Sequence, residues 1–434
     1  MSDHRIGLGQ GTAIYVGAIL GAGILALPAL AAQAAGPASL LAWLALLLFC
    51  VPVATSFAAL GGRYPDSGGV ATFVSKAFGK RASGAVGYWF YFALPAGAPA
   101  TAYVGGQYVS HTLGGGEHVT LLVAAVLLLA AFGSNTVGLK LSGRVQLFLV
   151  GLLAVLLLIA VLTALPHARA HNLTPFAPHG WAAIGQAASL LFFTFAGWEA
   201  VTHLSGEFRD PGRDLPRVTV LTLVVIGVLY LGLALTCVLV LGPQLAHANA
   251  PLTLLLQRGT GSAASAVTAV MAMLLTFGTM NSYLAGASRL GAALARDGFL
   301  PSVLAKGHRA GEVPRRSLSL LFVLSALVCA FALLTGTGLG HVMLAASSCF
   351  IAVTVAGLAA GIKLLPRGTA VWWGAVVAAV VMGAVLVFSG WFLLLPLALG
   401  ALAIGWAGWT ARRAAPAPVG EPVAVVVAPV PPAE

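Results

Sequence analysis

Charge is scarce in this chain, and negative charge is scarcer still. Only 8% of the 434 residues are charged, and 11 of them are Asp or Glu. A water-soluble domain carries about 25% charged residues. The composition therefore excludes a soluble globular enzyme, and 59% hydrophobic content excludes a disordered chain. Cysteine is also rare. Cys50, Cys237, Cys329 and Cys349 all sit in apolar stretches, with no CxxC or metal-ligand spacing, so they read as buried free thiols. Nucleotide motifs are missing: Gly79-Lys80 runs into Arg81 and lacks the upstream glycine of a phosphate-binding loop, which argues against ATP-driven pumping. No HExxH and no paired intramembrane aspartates occur. No metal site and no cofactor is expected.

What the chain does have is long apolar runs. A bilayer core is ~30 Å thick and takes about 20 apolar residues of helix to cross. Such stretches recur at 12–34, 38–61, 84–110, 119–138, 145–165, 183–205, 218–242, 262–288, 317–335, 339–362, 370–388 and 391–410. The first reads as a span and not a removable signal peptide, because no cleavage site and soluble domain follow it. The fold class predicted is an all-α polytopic membrane protein of twelve transmembrane helices. An even count puts both termini on one side. With these boundaries, all of the 22 Lys and Arg except Arg169 and Arg258 fall on that side. The positive-inside rule makes it cytoplasmic. Topology thus accounts for the net charge of +11, and no nucleic-acid partner is expected: the cations flank spans and show no binding motif. The stretch 411–434 carries Pro416, Pro418, Pro422, Pro429, Pro431 and Pro432, which reads as a disordered cytoplasmic tail.

Two spans are interrupted. In the first, Gly21-Ala22-Gly23-Ile24-Leu25 precedes Pro28. Each glycine costs roughly 1 kcal/mol relative to alanine in a helix. The residues fit either a mid-membrane break or close helix packing. In the sixth, Phe193-Thr194-Phe195-Ala196-Gly197-Trp198-Glu199 holds the one acidic residue predicted inside a span. A carboxylate there is costly and functional by default, although a protonated structural carboxyl is the alternative. His203 lies at i+4 on the same face, either extending a proton path or packed as a neutral ring. The breaks open two blocks of five helices, 12–165 and 183–362, with 370–410 following. That is the pattern of a five-plus-five inverted repeat whose substrate sits between broken helices. A half-helix starting near Ile24 would offer N–H groups to an anion. Freed carbonyls near Phe195–Gly197 would accept from an ammonium. Together they suit an amino acid.

Over residues 5–410 the chain resembles the amino acid–polyamine–organocation transporters. Gly21-Ala22-Gly23-Ile24-Leu25 is similar to that family's glycine-rich break in helix 1, and Phe195-Ala196-Gly197-Trp198-Glu199 to its Phe-x-Gly-x-Glu in helix 6. Pro65-Asp66-Ser67-Gly68-Gly69 resembles its first cytoplasmic loop. Glu207 through Arg217 resembles its Glu-x-x-x-Pro-x-Arg-x-x-Pro loop, and Ser288-Arg289 through Pro301 the loop after helix 8. Ala26 through Ala32, Trp198-Glu199-Ala200 and His203-Leu204 resemble a bacterial branch that exports methionine and branched-chain amino acids. The resemblance implies that Gly21, Ala22, Gly23 and Ile24 bind the substrate carboxylate through backbone N–H groups. It implies that Phe195, Ala196 and Gly197 offer carbonyls to the ammonium, with Phe193 a gating aromatic and Asn281 a further pocket residue. Glu199, with His203 beside it, would serve proton coupling or gating. Some relatives couple protons through a lysine in helix 5, and here 145–165 holds no Lys or Arg.

The expected function is secondary transport of neutral apolar amino acids (methionine, leucine, isoleucine, valine) across the inner membrane of a bacterium. Export by alternating access, with protons as the coupling ion, leads. Proton-symport uptake or amino acid/amine exchange is the first rival, and a non-transporting scaffold or channel the second. A polytopic enzyme would need facing catalytic side chains, and only Glu199 and His203 are near each other. The partners expected are the amino acid, protons and the lipid bilayer; nothing in the sequence speaks to oligomeric state.

Overall fold

The computed structural model describes residues 7–64, 69–138, 143–198, 208, 210–261, 264–307 and 312–413. Every regular element among them is helical. The first predicted span is broken: α1 (Leu8–Ile19) ends, a 3-10 turn covers Ala22–Leu25, and α2 runs Leu27–Ala35. Then come α3 (Ser39–Arg63), a short α4 (Val70–Phe78), α5 (Lys80–Leu113), α6 (Gly116–Thr136) and α7 (Gly143–Ala164). The second half holds α8 (Ala183–Phe195), α9 (Pro211–Leu241), a short α10 (Pro251–Thr260) and α11 (Ala264–Arg296). Last are α12 (Arg315–Thr335), α13 (Leu339–Leu364), α14 (Ala370–Val387) and α15 (Leu394–Arg413).

Among the described residues, nine helices are long and apolar enough to cross a membrane. Three predicted spans lack such a helix of their own, for different reasons. Spans 12–34 and 183–205 are interrupted, leaving pieces of 12 and 9 residues in the first and 13 in the second. Span 84–110 is a continuous helix, α5, whose Gly, Pro, Ser and Thr content dilutes its hydropathy. The amphipathic helices α4 and α10, of 9 and 10 residues, are too short to cross a membrane. Each buries one apolar face, Val70, Phe73, Val74 and Ala77 in α4 and Leu252, Leu255 and Leu256 in α10. Helix α15 continues to Arg413, three residues past the predicted span, and 414–434 lie outside the described residues.

Helix α5 is the hub of the bundle, packing on α4, α6, α11, α12, α13 and α15. Its run Ala93–Ala102 is small-residue and proline rich and almost entirely buried, which lets neighbouring backbones approach closely. Polar tips fasten the neighbours. Tyr91 donates to the Ser317 carbonyl on α12 at 2.9 Å, Trp89 to Pro396 on α15 at 2.7 Å, and Tyr88 to Phe299 after α11. Peripheral helices instead expose apolar side chains, among them Leu122, Leu162, Leu327, Phe331 and Trp391. That is a lipid-facing belt.

Candidate functional site

The interruption in the first span has a definite geometry. Leu20 adopts φ −73°, ψ 67°, an inverse γ-turn conformation, and the Gly21 N–H donates to the Ile19 carbonyl at 2.7 Å. The helical ladder stops there. Ile24 N–H reaches back to Gly21 at 3.4 Å and Ala26 to Gly23 at 3.2 Å. Between them, the N–H groups of Ala22 and Gly23 have no hydrogen-bond acceptor among the described residues. Buried amides are almost always paired, which makes these two candidate donors to a further acceptor.

The second interruption faces the first. Helix α8 ends at Phe195 and Ala196 turns extended at φ −66°, ψ 122°. The two breaks touch through glycines. A Cβ on Gly197 would stand 2.9 Å from Ile19 Cγ1 and 3.0 Å from the Ala18 carbonyl oxygen. One on Gly23 would meet Phe193 Cδ1 at 3.1 Å. A single hydroxyl joins them. Tyr230 on α9, fully buried, donates to Ile19 O at 2.8 Å, with Thr194 O at 3.2 Å and Thr194 Oγ1 at 3.0 Å. Its ring is pinned edge-on against Trp43 and Phe195. On the other side of the turn, Tyr108 of α5 donates to Leu25 O at 2.8 Å and accepts from the Leu252 N–H of α10 at 3.2 Å.

Between the breaks lies a cavity of about 40 Å³, room for roughly one to three waters. Of the candidate site residues, Gly21, Ala22, Gly23, Phe193 and Ala196 line it. Ile24, Phe195 and Gly197 do not. Ile24 and Phe195 are buried in the surrounding core, and Gly197 lies against Ile19. Asn281 is also away from it. Its Oδ1 accepts from Ser134 at 2.7 Å and from Asn135 Nδ2 at 2.8 Å, pinning α11 to α6, while its neighbours Thr279, Met280 and Tyr283 face the cavity. Sequence reasoning missed these three, along with Leu94, Gly97, Ala98 and Thr101 of α5, Thr194, and Phe350 of α13. The α5 contribution carried a signal: Pro95 and Pro99 one turn apart inside an apolar span, each removing an N–H from the ladder. Phe193 stacks obliquely on Phe350, centroids 6.4 Å apart. Among the described residues, no charged side chain lines the cavity. Glu199 and His203 lie outside the described residues, as do Pro65–Gly68, Glu207 and Arg209.

The model of the amino acid permease family matches residues 6–404. The chain belongs to that family, within the amino acid–polyamine–organocation superfamily. This permease is 34% identical to an uncharacterized amino acid permease of Bacillus subtilis, over 90% of its own length and 92% of the relative's. It is 33% identical to an L-methionine/branched-chain amino acid exporter of Escherichia coli, over 66% and 69% of the two chains. A branched-chain amino acid permease of Bacillus subtilis is 28% identical over 73% and 72%. Family and helical architecture together make the permease a multi-pass membrane protein of a family of small-molecule transporters.

Proposed function

We propose that the permease carries neutral apolar amino acids, with methionine, leucine, isoleucine and valine foremost, out of the bacterial cytoplasm by alternating access. One observation carries the reading: the Ala22 and Gly23 amides, without an acceptor among the described residues, open into a cavity whose described walls are apolar and aromatic and hold no fixed charge. Amides at a helix start attract a carboxylate. The carbonyl end of α1, at Ala18 and Ile19, borders the same space and favours an ammonium. A zwitterionic backbone is then matched at both poles, and the walls reject a charged side chain by leaving it unpaired. At about 40 Å³ the cavity is the closed form of the site; swinging Phe193 and Phe350 apart makes room for a side chain. Similarity to the Escherichia coli L-methionine/branched-chain amino acid exporter and to the Bacillus subtilis branched-chain amino acid permease supports this substrate class.

The topology belongs to the same proposal: twelve crossings of the inner membrane, both termini cytoplasmic, helices 12–165 and 183–362 forming inverted halves within a transport domain 1–410. Proton coupling falls to Glu199, the acidic residue of the sixth span. Proteoliposomes loaded with labelled methionine or leucine test the function. Efflux should accelerate with an imposed pH gradient or with an amino acid outside; a response to neither would overturn coupling and exchange together. Glu199→Gln should flatten the pH dependence, and a wild-type profile in that variant would remove Glu199 from the mechanism. Uptake is the second reading, favoured by the similarity to the branched-chain permease, and the sign of flux under a fixed gradient separates the two.

A further inference from the structure

Two cations, Arg169 and Arg258, fall on the cation-poor face, and the fold brings both into one cleft. Arg169 sits between the 3-10 turns Leu165–His167 and Ala170–Leu173 that follow α7. Arg258 lies in the last turn of α10. The cleft they share has a volume of about 600 Å³ and is also lined by His167, Asn172 and Gln244. Its walls are fastened. The Arg169 N–H donates to Leu239 O on α9 at 2.9 Å, and Asn172 Nδ2 donates to the same carbonyl at 2.7 Å. Gly242 turns with φ +53°, where a Cβ would fall 2.6 Å from Asn172 Oδ1.

Both arginines are exposed, and among the described residues no carboxylate lines the cleft. Among the described residues Arg258 meets only the Gln244 amide oxygen, at 3.3 Å, and the Arg169 guanidinium makes no ion pair. The acidic residue described on this face, Glu117, lines a different cleft and is engaged by the Tyr103 hydroxyl at 2.8 Å. Two arginines without an ion pair line one cleft, and the planar donor pairs of a guanidinium match phosphate oxygens. The depth is also informative. Directly before Arg169 in sequence, α7 exposes Leu158, Ile159 and Leu162, and the turn after it exposes Leu165, an apolar stripe that ends where the cleft begins.

We propose that this cleft binds a phosphate group, supplied by the headgroup of an anionic phospholipid whose acyl chains lie along the exposed α7 stripe. The leaflet rests on the orientation proposed above; the chemistry does not. Native mass spectrometry of the full-length, delipidated protein tests it, with dioleoylphosphatidylglycerol, the matching phosphatidylcholine and sodium phosphate as probes. Phosphatidylglycerol should bind at least about tenfold more tightly than phosphatidylcholine, and the Arg169→Gln/Arg258→Gln double variant should lose that preference. Sodium phosphate binding as tightly as the lipid, and lost in the same variant, would keep the phosphate site and assign it to the free ion. Equal binding of both lipids, or an unchanged preference in the double variant, would overturn the proposal. So would an equal loss in Arg367→Gln, an exposed arginine of the opposite face, since net charge alone would then explain the effect. None of these readouts depends on transport, so a wrong substrate assignment would leave them intact.

Discussion

Gly21 and Gly197 are the same residue type in equivalent breaks, yet they sit under different constraints. A Cβ on Gly21 meets nothing closer than the Ile19 carbonyl at 3.9 Å, and the residue is extended at φ −90°, ψ −177°. Alanine fits there. On Gly197 the same atom would push into the Ala18–Ile19 backbone, and overpacking of that kind costs about 1–3 kcal/mol. Gly21→Ala should therefore keep transport within about twofold and Gly197→Ala should lose about tenfold or more, read as initial rates in proteoliposomes at matched reconstitution. Tyr230→Phe makes a cleaner cut. It keeps the ring against Trp43 and Phe195 and deletes the hydroxyl that serves Ile19 and Thr194. Orphaned buried groups cost about 1–3 kcal/mol, so the melting temperature in detergent should fall by a few degrees, with transport falling alongside.

At the level of whole helices, the sequence revealed interruptions better than walls. The breaks at 20–26 and 196–197 were legible because glycine pairs and a lone carboxylate stand out against apolar runs. The cavity walls from α5, α11 and α13 were not, because Thr101, Met280, Tyr283 and Phe350 are ordinary residues for a membrane helix. Only packing tells which of their faces points inward. Asn281 illustrates the limit. A polar side chain in a span suggests a ligand contact, and here its Oδ1 accepts from Ser134 and Asn135 on α6. Asn281→Leu should accordingly lower stability by about 1–3 kcal/mol while leaving the methionine-to-leucine selectivity unchanged. Phe350→Ala, in the cavity wall, should shift that selectivity toward bulkier side chains. Competition uptake with both amino acids distinguishes these outcomes.

The whole molecule carries its electrostatics at its edges, since the described spans are nearly free of fixed charge. The proposed orientation follows from the cation split, and it is open to direct measurement. The native thiols are buried apart from the half-buried Cys329. A membrane-impermeant maleimide should label Arg258→Cys in intact cells and Arg367→Cys only after the membrane is opened. The reverse pattern would invert the topology and, with it, the leaflet facing the Arg169–Arg258 cleft.

The hub helix has a bearing on how the protein is made. Helix α5 contacts six other helices, yet it falls short of the composition that would hold a segment in lipid by itself. A nascent chain ending near Leu113 should slip out of the insertion machinery in a substantial fraction of molecules. One extended through Thr136 brings in the strongly apolar α6, against which α5 packs, and should be retained. The permease would then be assembled by pairs, its hub helix entering the bilayer only with a partner.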